Sequence, residues 1–240
     1  EGETVLDNAA REPEVSELAD VLNRMGAEIR GAGSDRIVIQ GVPELRGVSH
    51  EVSGDRIEAG TLLTAGMVTQ GNVCVTGIDP VSMDSMLGKL RETGAEISMT
   101  SDSIRVRAEA PAEPIRLVTA PYPGFPTDMQ AQLMAVLCVG RSSSVVTETV
   151  FENRFMHVPE LVRLGADISL EGRSAHIRGC RGLAAAPVMA TDLRASACLL
   201  VAALAARGET VVNRVYHIDR GYERIEAKLR SLGAEIRREN

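Results

Sequence analysis

Leu22-Asn-Arg-Met-Gly-Ala-Glu-Ile29 is the phrase that decides the fold, because the chain repeats it three more times. Leu90-Arg-Glu-Thr-Gly-Ala-Glu-Ile97, Leu161-Val-Arg-Leu-Gly-Ala-Asp-Ile168 and Leu229-Arg-Ser-Leu-Gly-Ala-Glu-Ile236 follow one plan: Leu, three variable residues, Gly, Ala, an acid, Ile. The leading Leu recurs after 68, 71 and 68 residues, which marks one folding unit used several times. Each phrase closes an amphipathic stretch. Val15, Leu18, Ala19, Leu22 and Met25 fall on one helical stripe, as do Ile225, Leu229 and Leu232. The glycine of each phrase (Gly26, Gly94, Gly165, Gly233) stands where a left-handed helix cap belongs. Beyond it come short alternating runs. Ala95–Met99 and Ser103–Arg107 are expected strands on either side of a turn at Ser101-Asp102. Arg36–Gln40 alternates in the same way, and Gly31-Ala-Gly33 reads as the turn before it.

A second kind of helix is expected at Thr61–Val68, Ala131–Val139 and Ala195–Ala206. These runs are apolar nearly all round and belong in a core. Polar outer helices, apolar inner helices and short strands between them define a layered α/β fold built from repeated units. Gly2-Glu-Thr-Val5 matches Gly208-Glu-Thr-Val211, which ends a unit. The chain is therefore expected to open on the tail of a unit. With Glu1 rather than Met in first place, it reads as the C-terminal part of a longer protein.

Composition narrows the function. At 240 residues with 44% apolar and 25% charged side chains, the chain is expected to form one or two globular domains. A net charge of −7, no Trp and only three Tyr and three Phe argue against a nucleic-acid surface. A small anion remains compatible, since it needs only a few converging Arg side chains. Ala195–Ala206 is too short to span a bilayer, so no membrane segment is expected. Cys74, Cys138, Cys180 and Cys198 form no Cys-x-x-Cys pair. Three of them lie in apolar runs, so buried free thiols in the cytoplasm are expected. His50, His157, His176 and His217 show no metal-ligand spacing, and neither a metal nor a cofactor is implied.

Chemistry concentrates in four polar segments beside the inner helices: 125–132, 151–157, 191–196 and 217–224. Asp55, Asp128 and Asp192 hold the same place in three successive units, as N-terminal caps would. Helix N-termini also seat phosphate or carboxylate, and Arg154, Arg194 and Arg220 are placed to add bidentate contacts. Two readings stay open on the residues alone: an anion site, or structural Asp–Arg bridges between repeats.

Phe125-Pro-Thr-Asp-Met-Gln-Ala-Gln132, Asn153-Arg-Phe-Met-His157 and Asp192-Leu-Arg-Ala-Ser-Ala197 closely resemble the C-terminal part of the UDP-N-acetylglucosamine 1-carboxyvinyltransferase family of enolpyruvyl transferases. The likeness runs the whole length, and these strings differ from those of the shikimate-pathway relatives. The resemblance implies an inside-out α/β barrel with buried inner helices, whose N-termini face a cleft between two similar domains. Residues 1–52 would complete the first domain and 53–240 would form most of the second. The implied reaction transfers the enolpyruvyl group of phosphoenolpyruvate to the sugar 3′-hydroxyl of UDP-N-acetylglucosamine, the first committed step of peptidoglycan synthesis. Asp128 matches the carboxylate at that hydroxyl, and Arg220 an Arg on the phosphoenolpyruvate phosphate and carboxylate. Asp192, Arg194 and Arg154 match residues of the same cleft, and Val150 a substrate contact. The family's loop with its reactive Cys, and its Lys and Asn at the phosphoenolpyruvate site, have no counterpart here. A fragment inactive alone is thus implied, needing the N-terminal portion of the same enzyme as partner. The other reading is a catalytically silent chain of the same fold that binds a partner or an anion.

Overall fold

The computed structural model describes residues 2–239, and the repeat organises all of it. The first unit holds strand β1 (Glu3–Asp7), helix α1 (Pro13–Arg24) and strands β2 (Glu28–Arg30) and β3 (Arg36–Gln40), forming an antiparallel sheet in the order β1-β3-β2. The second runs through α2 (Arg56–Val68), β4 (Asn72–Thr76), α3 (Asp84–Glu92), β5 (Glu96–Met99) and β6 (Ser103–Arg107), with sheet order β4-β6-β5. In the third, β7 (Arg116–Val118), α4 (Thr127–Cys138), β8 (Ser143–Thr147), α5 (Val158–Arg163), β9 (Asp167–Glu171) and β10 (Ser174–Arg178) give the order β7-β8-β10-β9. The fourth holds β11 (Leu183–Ala184), β12 (Val188–Met189), α6 (Leu193–Ala205), β13 (Ala206–Arg207), β14 (Val212–Asn213) and α7 (Ile225–Ser231). Its strands form two short parallel pairs, β11 with β13 and β12 with β14.

Each repeated phrase does the same local work. Its Leu packs the outer helix inward, and its Gly ends that helix: Gly26, Gly94, Gly165 and Gly233 all have φ between +91° and +105°. That region strains any residue with a Cβ. The Ala-acid-Ile that follows starts a hairpin in the first three units, with Ile97 opposite Val106 and Ile168 opposite Ile177. The alternation read from sequence is realised in β6, where Ile104 and Val106 point into the core and Arg105 points out.

Helices α2, α4 and α6 pack against one another at the centre. Every residue of α4 from Met129 to Cys138 is buried. Glycine permits the close approach: a Cβ on Gly60 of α2 would stand 2.5 Å from Met86 Sδ and 2.9 Å from Met129 Cε. A contiguous core extends from Ile57 to Leu229 and includes nothing before Ile57; Ala19 and Ile37 are buried outside it.

Several expectations are corrected. Leu18, placed on the apolar stripe of α1, is 59% exposed, because α1 packs chiefly on β2 of its own small sheet. Leu232 is exposed as well, and residues 234–239 form no strand after the last phrase. Between α6 and α7, strand pairing after Gly208 is confined to Val212–Asn213, followed by a 3-10 turn over Val215–Arg220. Cys74 is exposed, since it occupies the outward register of β4 between Val73 and Val75; Cys138 and Cys198 are buried as expected, and Cys180 is half-buried.

Gly179, just after β10, tests the packing. A Cβ there would lie 2.1 Å from the Gly140 carbonyl oxygen, which belongs to the backbone and cannot swing aside. Gly179→Ala is expected to cost about 1–3 kcal/mol or more through forced backbone separation. Gly88→Ala in α3, where a Cβ meets nothing within 4 Å, should leave stability unchanged or slightly raised. Thermal melting of the two variants checks the contrast.

Candidate active site

Three helix N-termini come together at one end of the core. Arg194, at the start of α6, reaches Asp128, at the start of α4, and Arg56, at the start of α2, lines one pocket with Asp128. The inner helices therefore run parallel, with their free N–H ends on one face. Asp55 and Asp192 cap two of those ends as expected. Asp55 Oδ1 accepts from the amides of Ile57 and Glu58, and Asp192 Oδ1 from those of Arg194 and Ala195.

Asp128 departs from that pattern. Pro126 holds the cap position of α4, and the Asp128 side chain caps nothing. One carboxylate oxygen instead pairs with Arg154 and the other with Arg194, the latter at 2.5 Å. The shared sequence position of the three acids thus hides a split in role. Pro126 cannot donate, and the helix behind it starts two residues earlier than a cap at Asp128 would place it, which leaves Asp128 inside its first turn and free to face the two guanidiniums.

The geometry gives the cluster its charge state. Arg154 and Arg194 are largely enclosed, at 14% and 17% side-chain exposure, while Asp128 is 36% exposed. Burial pushes the Asp128 carboxyl up, but the two guanidiniums outweigh it and hold the group below the usual carboxylate range. One carboxylate between two guanidiniums leaves a net positive charge. Arg154 is further anchored by Nε, which donates to Thr127 Oγ1 at 3.2 Å and to the Thr127 carbonyl at 3.3 Å. Arg194 lies beside the Tyr222 hydroxyl, itself buried and bonded to Thr61 Oγ1 at 2.9 Å and to Gln132 Nε2 at 3.3 Å. That polar thread crosses all three inner helices.

Val150 joins Asp128 in the same pocket, a cleft of about 160 Å³ also lined by Glu12, Arg56, Tyr122 and Thr127. Arg56 Nε donates to Glu14 at 2.8 Å, and its guanidinium lies 5.9 Å from the Tyr122 ring centre. Arg220 stands apart: it is exposed at the end of the 3-10 turn and makes no hydrogen bond or ion pair among the described residues. The structure therefore joins Asp128, Arg154 and Arg194 directly, adds Val150 by the shared pocket, uses Asp192 as a helix cap and leaves Arg220 unlinked to them. Among the described residues, no group of three His, Cys, Asp or Glu side chains is placed to hold a metal ion.

Sequence reasoning missed Glu148, Arg56 and Tyr122. A lone acid between two Thr residues in an otherwise apolar strand run, Val145-Val-Thr-Glu-Thr-Val150, was the available signal for Glu148. His157, which closes the Asn153–His157 string, is buried, and burial pushes its pKa down to about 4 against the opposing charge of Asp192. It is neutral at physiological pH.

A core of parallel inner helices, repeated hairpins around it and a cationic cluster at the helix N-termini define the enolpyruvyl transferase class of α/β proteins. The enolpyruvyl transferase NikO from Streptomyces tendae superposes with a TM-score of 0.88 at 30% identity, over 98% of this chain and 57% of that one. EPSP synthase from Acinetobacter baumannii shares the fold, with a TM-score of 0.72 at 15% identity over 96% of this chain. The family model for EPSP synthase (3-phosphoshikimate 1-carboxyvinyltransferase) matches residues 1–229, and the chain belongs to that family. UDP-N-acetylglucosamine 1-carboxyvinyltransferase from Trichlorobacter lovleyi is 54% identical over 237 residues, and that from Myxococcus xanthus 56% over 238. The chain spans about 57% of the length of each of these relatives.

Acid titration tests the cluster. A carboxyl whose folded pKa lies below its unfolded value of about 3.9 contributes stability above that pH and loses it as pH falls through the folded value. Asp128→Asn is expected to flatten this acid limb. It should also lower stability at pH 7 by about 1–3 kcal/mol, since two guanidiniums lose a charged acceptor. Denaturant unfolding of both proteins at several pH values gives the comparison.

Proposed function

We propose that this chain carries one wall of the active site of a UDP-N-acetylglucosamine 1-carboxyvinyltransferase. The enzyme would transfer the enolpyruvyl group of phosphoenolpyruvate to the 3′-hydroxyl of UDP-N-acetylglucosamine and release phosphate. That reaction would place it in the cytoplasm, at the start of peptidoglycan assembly. The observation that carries the reading is the carboxylate clamped by two guanidiniums at the convergent helix N-termini, in a chain 54% identical to relatives of that name.

The chemistry follows from the charges. The sugar hydroxyl adds to C2 of phosphoenolpyruvate while C3 takes a proton; a tetrahedral adduct forms, then loses phosphate and a C3 proton. Asp128 accepts the hydroxyl proton. Alone with its two Arg partners it is ionised but weakly basic. A substrate bearing phosphate and carboxylate competes for those guanidiniums, frees the Asp128 oxygens and raises their basicity where the proton must go. Arg154, Arg194 and Arg220 would grip the anion, with Arg220 drawn in from its exposed turn. Val150 would contact the sugar, and Asp192 would fix the first turn of α6 that carries Arg194. The acid that protonates C3 would come from the remaining share of the relatives' length, which forms the opposite wall. In this reading residues 1–52 belong to one domain and 53–240 to another, a division supported by the core that includes nothing before Ile57.

A full-length protein carrying this segment should release phosphate from phosphoenolpyruvate when UDP-N-acetylglucosamine is added, and none with shikimate 3-phosphate. The reverse preference would overturn the proposal. The 240-residue chain alone should show no turnover, since single acid–base groups contribute about 100- to 10,000-fold each. Arg220→Lys keeps the charge and loses the planar fork. It should weaken phosphoenolpyruvate binding or slow turnover in the full-length protein while shifting stability by less than about 1 kcal/mol. Calorimetric titration and melting of that variant measure both; unchanged binding with a large loss of stability would make Arg220 a scaffold residue.

A further inference from the structure

Glu148 is a buried carboxylate at the end of β8, only 2% exposed, and four donors converge on it. Its two oxygens have separate tasks. Oε1 accepts from Thr119 Oγ1 at 2.7 Å and from the amides of Val150 and Phe151 at 2.7 and 3.0 Å. That half holds the loop presenting Val150. Oε2 accepts from Thr127 Oγ1 at 2.8 Å. Thr127 is the first residue of α4, next to Asp128. Burial pushes the Glu148 carboxyl up, but its four donors outweigh that and hold it low, so it is ionised. An ionised carboxylate only accepts, which fixes the direction of the Thr127 hydroxyl. With its proton committed to Glu148, the hydroxyl offers its lone pairs to Arg154 Nε at 3.2 Å. The chain of bonds is continuous and directional: Arg154 donates to Thr127, Thr127 to Glu148, and the far end of Arg154 grips Asp128.

We infer that Glu148 is the positioning residue of this site: through Thr127 it aims Arg154 at Asp128, and through the 149–151 turn it sets Val150 in the same pocket. The plainer reading makes Glu148 a turn cap that serves only the amides of Val150 and Phe151. The two differ at Oε2, because a turn cap has no need of Thr127. The inference rests on the proposed function only for its kinetic consequence; the aim of Arg154 is a property of this chain.

Thr127 separates the tasks. Thr127→Val cuts the Oε2 arm and leaves Oε1 and its loop intact, whereas Thr127→Ser restores the hydroxyl. The Asp128 carboxyl is followed by carbon-13 NMR titration in the 240-residue chain. Its midpoint should rise by about half a unit or more in Thr127→Val, as Arg154 keeps the Thr127 carbonyl but loses the hydroxyl that aims it, and stay at the wild-type value in Thr127→Ser. In the full-length protein Thr127→Val should lower kcat about tenfold to a hundredfold, as misplaced catalytic groups do, with Thr127→Ser close to wild type. Glu148→Gln should move the titration in the same direction as Thr127→Val; if that variant does not fold, the Thr127 pair decides alone. A folded Thr127→Val that titrates like wild type, or a Thr127→Ser as impaired as Thr127→Val, overturns the positioning role. A full-length wild type that fails to release phosphate overturns the proposed function instead, and leaves the titration to judge Glu148.

Discussion

A helix buried on every side has nowhere to hide its ends, and that constraint governs this molecule. Helices α2, α4 and α6 satisfy their interior amides within themselves, but the first-turn N–H groups of each must find partners or solvent. Because the three run parallel, all of these donors emerge on one face, and positive potential accumulates there. Asp55 and Asp192 neutralise two of the ends from the cap position. At the third, the acid moves inward by two residues and is met by two guanidiniums. A surplus of positive charge at one end of an apolar core results from how the core is packed and needs no separate origin.

The cluster is tied into the core. Asp128 pairs with both guanidiniums, Arg154 also donates to Thr127, and Arg194 lies beside the Tyr222 hydroxyl that ties α2 to α4. Preorganisation of this kind spares a reacting site the cost of turning dipoles during the reaction. It also explains why polar side chains such as Thr61 and Gln132 are accepted deep in a helix layer that is otherwise apolar: they carry the hydrogen bonds that hold Tyr222.

Much of this was legible in sequence, for physical reasons that differ by element. The repeated phrase couples a helix stop to a hairpin start, so periodicity and Gly position fixed the outer helices and their strands. The all-round apolar runs announced the inner layer. Asp128 could not be read correctly from its alignment with Asp55 and Asp192, because the decisive residue was Pro126 two places earlier. Val15 to Met25 formed a sound helical stripe, yet periodicity does not say how much partner surface lies opposite it, and Leu18 is exposed. Residues 210–216 hold three valines and a tyrosine, which favour strands, yet only Val212 and Asn213 find a neighbour to pair with. The Asp128–Arg154 and Asp128–Arg194 contacts join residues 26 and 66 positions apart. Only the motif strings brought those residues together before the fold did. Glu148 carried little local signal, since two of its four donors, the hydroxyls of Thr119 and Thr127, come from segments 29 and 21 positions away.

Burial has one more consequence, for the thiols. Cys138, the last residue of α4, has its pKa pushed up to about 12 by burial, and Cys198 in α6 is raised well above its ordinary value for the same reason. Neither offers a thiolate to an electrophile while the helix layer is closed. Cys74 sits exposed on β4, with Cys180 half-buried after β10. The chain thus contains its own clock for internal motion. Prompt alkylation at Cys74 reports reagent supply, while slow alkylation at Cys138 and Cys198 counts the moments when the inner helices part.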